Sequence, residues 1–315
     1  MLIIKIGLME TIITRLKSFD LNNNKFYIKR DDLFPFCFGG NKARKAELFF
    51  YDMKLKKVDS VVTYGSSSSN HCRIIANMAA ANEIECYIVS PIENDKQTFN
   101  KTMMKLFNAT ILTCPVDKVS SKIEEIISKL RLIGKNPYFI PGGGHGNIGS
   151  QAYFNCFNEI VSQQKESGVE FDYIFHASGT GTTQAGLVCG KLINDSKCKI
   201  VGISIARNNP RGKNVVVESV KEFLNANKYP FNNIEDFVIF DDEYICGGYG
   251  KADIEITNVI KSVLINEGIS LDSTYTGKAF WGMLEYIKKE KIKEKNILFI
   301  HTGGTPLFFD YLNNI

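Results

Sequence analysis

From about Ser60 onward the chain alternates short apolar, β-rich runs with longer segments whose apolar residues recur at helical spacing. SVVTYG, ECYIVS, ATILTC and PYFIPG read as strands. The segment after SSSSN carries Ile74, Ile75, Met78 and Ala79 on one helical face, and NKTMMKLFN and SKIEEIISKLRLIG repeat that spacing. Strands alternating with helices of this length predict parallel βαβ units wound into an open sheet. A second series follows the glycine cluster Gly142–Gly146: a helix (SQAYFNCFNEIVSQQ), the strand DYIFHAS, a Gly/Thr loop, another helix and the strand KIVGISI. KNILFIHTGG adds one more strand near the end. The expected fold is α/β, with two open parallel-sheet lobes. Residues 54–150 form the smaller lobe, and residues 1–53 with 151–315 the larger. The mixed-sign run KKEKIKEK, Lys288 to Lys295, holds Ile292 at a helical offset and reads as a solvated helix face.

Composition narrows the function classes. A length of 315 residues exceeds one small core and suits two lobes. A formal net charge of +4 is small for that length and gives no reason to expect a nucleic-acid partner. The eight cysteines stand singly, with no CxxC pair, and several lie inside apolar runs. They read as buried free thiols in a reducing compartment. MLIIKIGLME is a poor signal peptide, having only a very short apolar stretch and no small-residue cleavage site. No apolar run approaches the roughly 18 residues of a membrane span. A cytosolic protein is expected. His71, His145, His176 and His301 make no metal-ligand spacing with one another, so no metal is expected.

Four segments carry candidate chemistry. SGTGTTQAG, Ser178 to Gly186, follows a strand and opens a helix. Its glycines let backbone approach an anion, and helix-start amides with threonine hydroxyls supply donors. No Lys-Ser/Thr closes it as a P-loop, and the third glycine is out of place for a dinucleotide fingerprint. A single phosphate monoester fits better, with an unliganded tight turn as the alternative. In FGGNKARKAE, Asn41 is a plausible N-cap that sets Lys42 in a first helical turn. The helix end and the neighbours Arg44 and Lys45 favour the neutral amine, the form that condenses with a carbonyl. A solvated lysine is the plain alternative. In SSSSNHCR, Ser69 and Asn70 either cap a helix or present donors to a carboxylate at the helix mouth. Tyr249 in GGYGKAD and Tyr275 in STYTGKA sit beside glycines, and HTGGT (His301 to Thr305) ends a strand. Such places line the clefts where open α/β sheets bind ligands. A lysine, a phosphate cradle and a polar pocket at strand ends are what a pyridoxal phosphate enzyme requires.

Matching motifs run in order along nearly the whole chain: IKRDDL at Ile28 to Leu33, GGNKARKAE, SNH, PGGGHGNIGSQAY, GTGTTQAGL, YTGKA and HTGGT. In these the sequence resembles the 1-aminocyclopropane-1-carboxylate deaminase/D-cysteine desulfhydrase family, tryptophan synthase β-like (fold type II) pyridoxal phosphate enzymes. The resemblance implies that Lys42 is the Schiff-base lysine and moves the proton at Cα. It implies that Asn70 contacts the 3′-oxygen of the ring and that Gly179, Thr180, Gly181, Thr182 and Thr183 hold the phosphate. Ser69 matches a residue at the substrate carboxylate and reacting carbon, with Ser68 and His71 beside it. Tyr249 and Tyr275 match two tyrosines facing the substrate. Thr276 and Thr302 fall on the pyridine side.

Thr276 stands where the deaminase branch carries Glu, as in the desulfhydrase-like branch. A hydroxyl leaves the ring closer to neutral than a carboxylate would, a weaker electron sink that suffices when a β-substituent departs readily. The resemblance therefore points to α,β-elimination on a small amino acid such as D-cysteine. Deamination of the cyclopropane, or another lyase or racemase of the same fold, is the alternative. Ser68 replaces the family's common Gln and leaves the substrate open. A homodimer is the family expectation.

Overall fold

The computed structural model describes residues 9–315, so the N-terminal run read as a poor signal peptide lies mostly outside the described residues. Among the described residues ten strands form two sheets. In chain order they are β1 (Ile13–Arg15), β2 (Lys25–Lys29), β3 (Ser60–Tyr64), β4 (Glu85–Pro91), β5 (Thr110–Cys114), β6 (Pro137–Phe139), β7 (Tyr173–Ser178), β8 (Lys199–Ser204), β9 (Ile239–Asp241) and β10 (Asn296–Ile300). The helices are α1 (Asn41–Leu55), α2 (Asn70–Ala81), α3 (Phe99–Leu106), α4 (Val119–Leu132), α5 (Asn147–Ser167), α6 (Thr182–Ile193), α7 (Arg211–Ala226), α8 (Ile254–Glu267), α9 (Thr276–Lys289) and α10 (Thr305–Tyr311).

One sheet has the order β1-β2-β10-β7-β8-β9 and the other β5-β4-β3-β6. Every pair is parallel except β1 with β2, an antiparallel edge that the apolar pattern did not signal. The chain starts in the six-stranded sheet, leaves to build the four-stranded one, and returns. β7, β8 and β10 are almost wholly buried, as parallel strands covered by helices on both faces must be. Helix α1 is shared between the lobes. Ala43, Ala46, Phe49 and Met53 join one core with Val61, Ile74 and Ile88 around the smaller sheet, while Arg44 reaches across to Glu159 of α5. Residues up to 53 thus contribute to the core of both lobes.

Two local expectations change. The charge run is not one helix face: α9 stops at Lys289. Lys291 takes a left-handed φ of 52°, Ile292 N donates to Ile287 O, and Lys291 N donates to Lys288 O. These are the paired bonds of a Schellman stop, and Ile292 is buried to complete its apolar contact with Ile287. The cap of α1 is Gly40, not Asn41. Gly40 has φ 92°, and a Cβ there would lie 2.6 Å from the carbonyl oxygen of Thr302. Only glycine allows that approach of the start of α1 to the segment after β10. All eight cysteines are free; Cys72, Cys86, Cys156, Cys189 and Cys198 are buried. No described helix is long and apolar enough to cross a membrane.

Candidate functional site

The ends of β3, β7, β8 and β10 converge on a cavity of about 330 Å³ between the two sheets. Its wall takes in Lys42, Ser69, Asn70, His71, Gly179, Thr180, Gly181, Thr183, Tyr249, Tyr275 and Thr302. Segments more than 200 residues apart in sequence are therefore brought to one place. Three other candidates stand behind the wall: Thr182, Thr276 and Ser68 are not part of it.

Lys42 Nζ donates to the carbonyl oxygen of Gly143 at 2.9 Å. Burial pulls its pKa down from 10.5 to about 8. The cause is lost hydration; Arg44 is not involved, because its guanidinium is taken up by Asp31 and Glu159. The glycines opposite are there for space. A Cβ on Gly143 would sit 2.7 Å from Thr180 and 3.3 Å from Lys42 Nζ, filling the cavity.

The Gly/Thr loop joins β7 to α6, with Gly181 as N-cap at φ 98°. The first amides of α6 have no side-chain cap, and Gly181 and Thr183 at this helix start line the cavity. Directly below lies Lys45, 1% exposed. Its ammonium donates to Thr182 Oγ1 at 2.8 Å and lies 5.8 Å from the Tyr153 ring centre. Burial, then the charge of Lys42, push its pKa well down. Two lysines and a helix N-terminus meet here, and no Asp or Glu lines the cavity among the described residues. That anion deficit and the glycine-made space are what a phosphate monoester carrying a flat ring would satisfy.

Ser69 is the N-cap of α2 and accepts from Cys72 N at 3.2 Å, so the capping role read from the sequence is real and coexists with a place in the wall. Thr63 Oγ1 donates to Ile140 O at 2.8 Å, and His71 Nε2 lies 2.8 Å from the same hydroxyl. Since that proton is spent, Nε2 must be the donor. Burial, then Lys42 and Lys45, keep His71 neutral, its pKa well below the usual range. The hydroxyls of Tyr249 and Tyr275 are 2.7 Å apart, and burial raises the pKa of both. The Ser68 and Ser66 hydroxyls neighbour Tyr249. Lys278 donates to the carbonyls of Ile245 and Gly248 at 2.7 Å each, pinning the turn that carries Tyr249. Thr276 Oγ1 accepts from Asp272 N at 2.9 Å, and the Asp272 carboxylate in turn accepts from the amides of Tyr275 and Thr276.

Sequence reasoning missed several members. Ser66, Tyr64 and Arg207 line the cavity, and Lys45 and Asp272 support it from behind. Ser66 carried a signal, sitting in the serine run. Arg207 and Tyr64 follow strand ends, which the strand pattern alone could have flagged.

A glycine-lined cavity at the carboxyl ends of two largely parallel sheets, with a lysine of lowered pKa in its wall, has the form that a phosphate-bearing cofactor with a carbonyl group would fit. The pyridoxal-phosphate dependent enzyme model matches residues 4–303. A putative 1-aminocyclopropane-1-carboxylate deaminase of Pyrococcus abyssi is 35% identical over 292 residues, spanning 90% of this chain and 86% of the relative. The D-cysteine desulfhydrase of Serratia proteamaculans is 32% identical over 300 residues, spanning 93% and 90%. A crystal structure of an ACC deaminase homologue superposes with a TM-score of 0.88 at 32% identity, covering 97% of this chain and 93% of that one. The chain belongs to the 1-aminocyclopropane-1-carboxylate deaminase/D-cysteine desulfhydrase family of fold type II enzymes, whose cofactor is pyridoxal phosphate.

Proposed function

We propose that this chain is a lyase that catalyses α,β-elimination from a β-substituted amino acid, D-cysteine desulfhydrase-like, giving pyruvate, ammonia and sulfide. The observation that carries this reading is the absence of any carboxylate in the described cavity wall, with Thr276 turned away onto Asp272. A pyridine nitrogen with no acid beside it stays close to neutral and withdraws electrons weakly, which suits a substrate whose β-substituent leaves readily.

In this reading Thr180, Gly181, Thr182 and Thr183, with Gly179 giving room, hold the phosphate over Lys45. Asn70 would serve the ring oxygen, and Thr302, also in the cavity wall, would help hold the ring. Bound pyridoxal phosphate supplies the electron sink that makes the Cα proton acidic. Lys42 would carry the cofactor, and its free amine would take that proton. A pKa of about 8 leaves a usable neutral fraction near neutrality. Ser69 and the first amides of α2 receive the substrate carboxylate. Tyr249 and Tyr275 remain protonated at neutral pH and hold the departing thiolate by hydrogen bonds.

The test offers D-cysteine, L-cysteine and 1-aminocyclopropane-1-carboxylate to the cofactor-loaded enzyme and identifies the keto acid. Pyruvate from D-cysteine supports the elimination. Turnover of the cyclopropane to 2-oxobutyrate, with no pyruvate from either cysteine, would replace it with deaminase activity.

A further inference from the structure

Behind the cavity wall a fully buried polar chain leads from the interior of α2 to the carboxamide of Asn70. Arg73, in α2, and Asn100, in the first turn of α3, are both 0% exposed. Arg73 Nη1 donates to Asn100 Oδ1 at 3.2 Å. Asn100 Nδ2 donates to Asn70 Oδ1 at 3.0 Å and to the carbonyl oxygen of Ser68 at 2.7 Å. Nε and Nη2 of Arg73 have no hydrogen-bond partner among the described residues. Packing alone gives no reason to bury such a cation, because an apolar or amide side chain of similar length would avoid its desolvation.

The chemistry of the end group explains its presence. A carboxamide can be turned end for end, exchanging donor for acceptor, whereas a guanidinium only donates. Arg73, which only donates, and the Ser68 carbonyl, which only accepts, together hold the oxygen of Asn100 towards Arg73. The nitrogen of Asn100 then faces Asn70, which must answer with its oxygen. What remains for the cavity is the Asn70 amide nitrogen. We propose that Arg73 and Asn100 are positioning residues that fix the polarity of Asn70, so that it presents a hydrogen-bond donor to the anionic ring oxygen of the cofactor. This rests on the assignment of Asn70 to that oxygen.

The consequence is measurable apart from turnover. A donor held on the ring oxygen favours its anionic form and lowers the acid–base midpoint of the bound cofactor's visible absorption. An acceptor in the same place raises that midpoint. The experiment titrates the visible spectrum of the cofactor-loaded protein with pH, alongside cofactor affinity and thermal stability, in wild type and four variants. Asn70→Ala removes the donor. Asn100→Asp keeps an acceptor for Arg73 but turns Asn70 round, since an ionised Asp only accepts. Arg73→Lys preserves a donor-only end, whereas Arg73→Gln leaves the Ser68 carbonyl as the remaining group that orients Asn100.

The expected result is a midpoint raised by about one pH unit in Asn70→Ala and Asn100→Asp, the shift that loss of one charge-assisted hydrogen bond produces. Arg73→Gln should raise it by less than Asn100→Asp does, because the Ser68 carbonyl still holds Asn100, and Arg73→Lys should not raise it, although both lower thermal stability. A shift in Asn70→Ala with none in Asn100→Asp and Arg73→Gln overturns the relay while leaving Asn70 at the ring oxygen. No shift in Asn70→Ala overturns both. Should Asn100→Asp fail to bind cofactor, the contrast between the two Arg73 variants decides the matter: equal midpoints refute the proposal.

Discussion

Replacing Arg44 by methionine removes the central cation of a buried cluster that ties α1, and with it Lys42, to the larger lobe. Arg44 donates to Asp31 at 2.8 and 3.2 Å, to Glu159 at 2.8 Å and to Thr11 Oγ1 at 3.2 Å. Lys29, 0% exposed, donates to Glu159 at 2.6 Å and completes a cluster of two cations and two anions. Burial, the largest single influence on Asp31, pushes its pKa up. Arg44 and then Lys29 more than reverse it, holding the carboxyl at about 2 against 3.8. Arg44→Met leaves one cation against two buried carboxylates. Truncating one member of such a cluster costs about 3–5 kcal/mol, a drop in Tm of roughly 5–8 °C for a chain of this length. The depressed Asp31 contributes stability above its unfolded pKa and loses it as pH falls through the folded one. About 2 kcal/mol of the difference should therefore fade between pH 4 and 2. Urea unfolding at pH 7 and in acid measures both. A loss below about 1 kcal/mol at pH 7, or a gap that does not narrow in acid, refutes this account of how α1 is anchored.

Three further outcomes follow from the same geometry. Lys42→Met should stabilise the cofactor-free protein at pH 7 by at most about 3 kcal/mol, because the cavity partly hydrates the ammonium; the wild type should close that gap between pH 8 and 10.5, as its depressed lysine loses its proton earlier than in the unfolded chain. Thermal melts of the two apoproteins across that range check the sign. Gly186→Ala, whose Cβ would meet the Ser150 backbone oxygen and lie 2.7 Å from Tyr153 Cβ, should force α6 off α5, costing about 1–3 kcal/mol in denaturant melts and weakening phosphate binding. Tyr275→Phe removes one partner of the 2.7 Å phenol pair and should lower kcat by about 10- to 100-fold with little change in cofactor affinity, read from steady-state kinetics and a cofactor titration.

What the sequence disclosed was whatever local pattern determines. The strands and helices of the βαβ alternation, the Gly/Thr turn between β7 and α6 and the cap at Ser69 each rest on patterns local in the chain, and each forms as read. The cap of α1 fell to Gly40 instead of Asn41 because a contact with Thr302, far along the chain, demanded a residue without Cβ. Arg207 and Tyr64 were silent for a related reason: a lone charge or ring acquires its role only when tertiary packing sets it at the cavity. Arg73 and Asn100 were hidden more deeply, since neither reaches the cavity wall and their chain of hydrogen bonds joins two separate helices. Even recognised positions shifted in meaning. Thr276, Thr182 and Ser68 support the wall from behind, a distinction that motif matching cannot make because it carries no direction for a side chain.

The most direct test of the central claim is the visible spectrum of the purified protein saturated with pyridoxal phosphate, followed by borohydride reduction and peptide mapping. The site described predicts a visible band, abolished by reduction, with the reduced cofactor attached to Lys42 and to no other lysine, including its buried neighbour Lys45. A protein that develops no band with added cofactor, or that carries the label elsewhere with Lys42 unmodified, would contradict the assignment of this cavity to pyridoxal phosphate chemistry on Lys42.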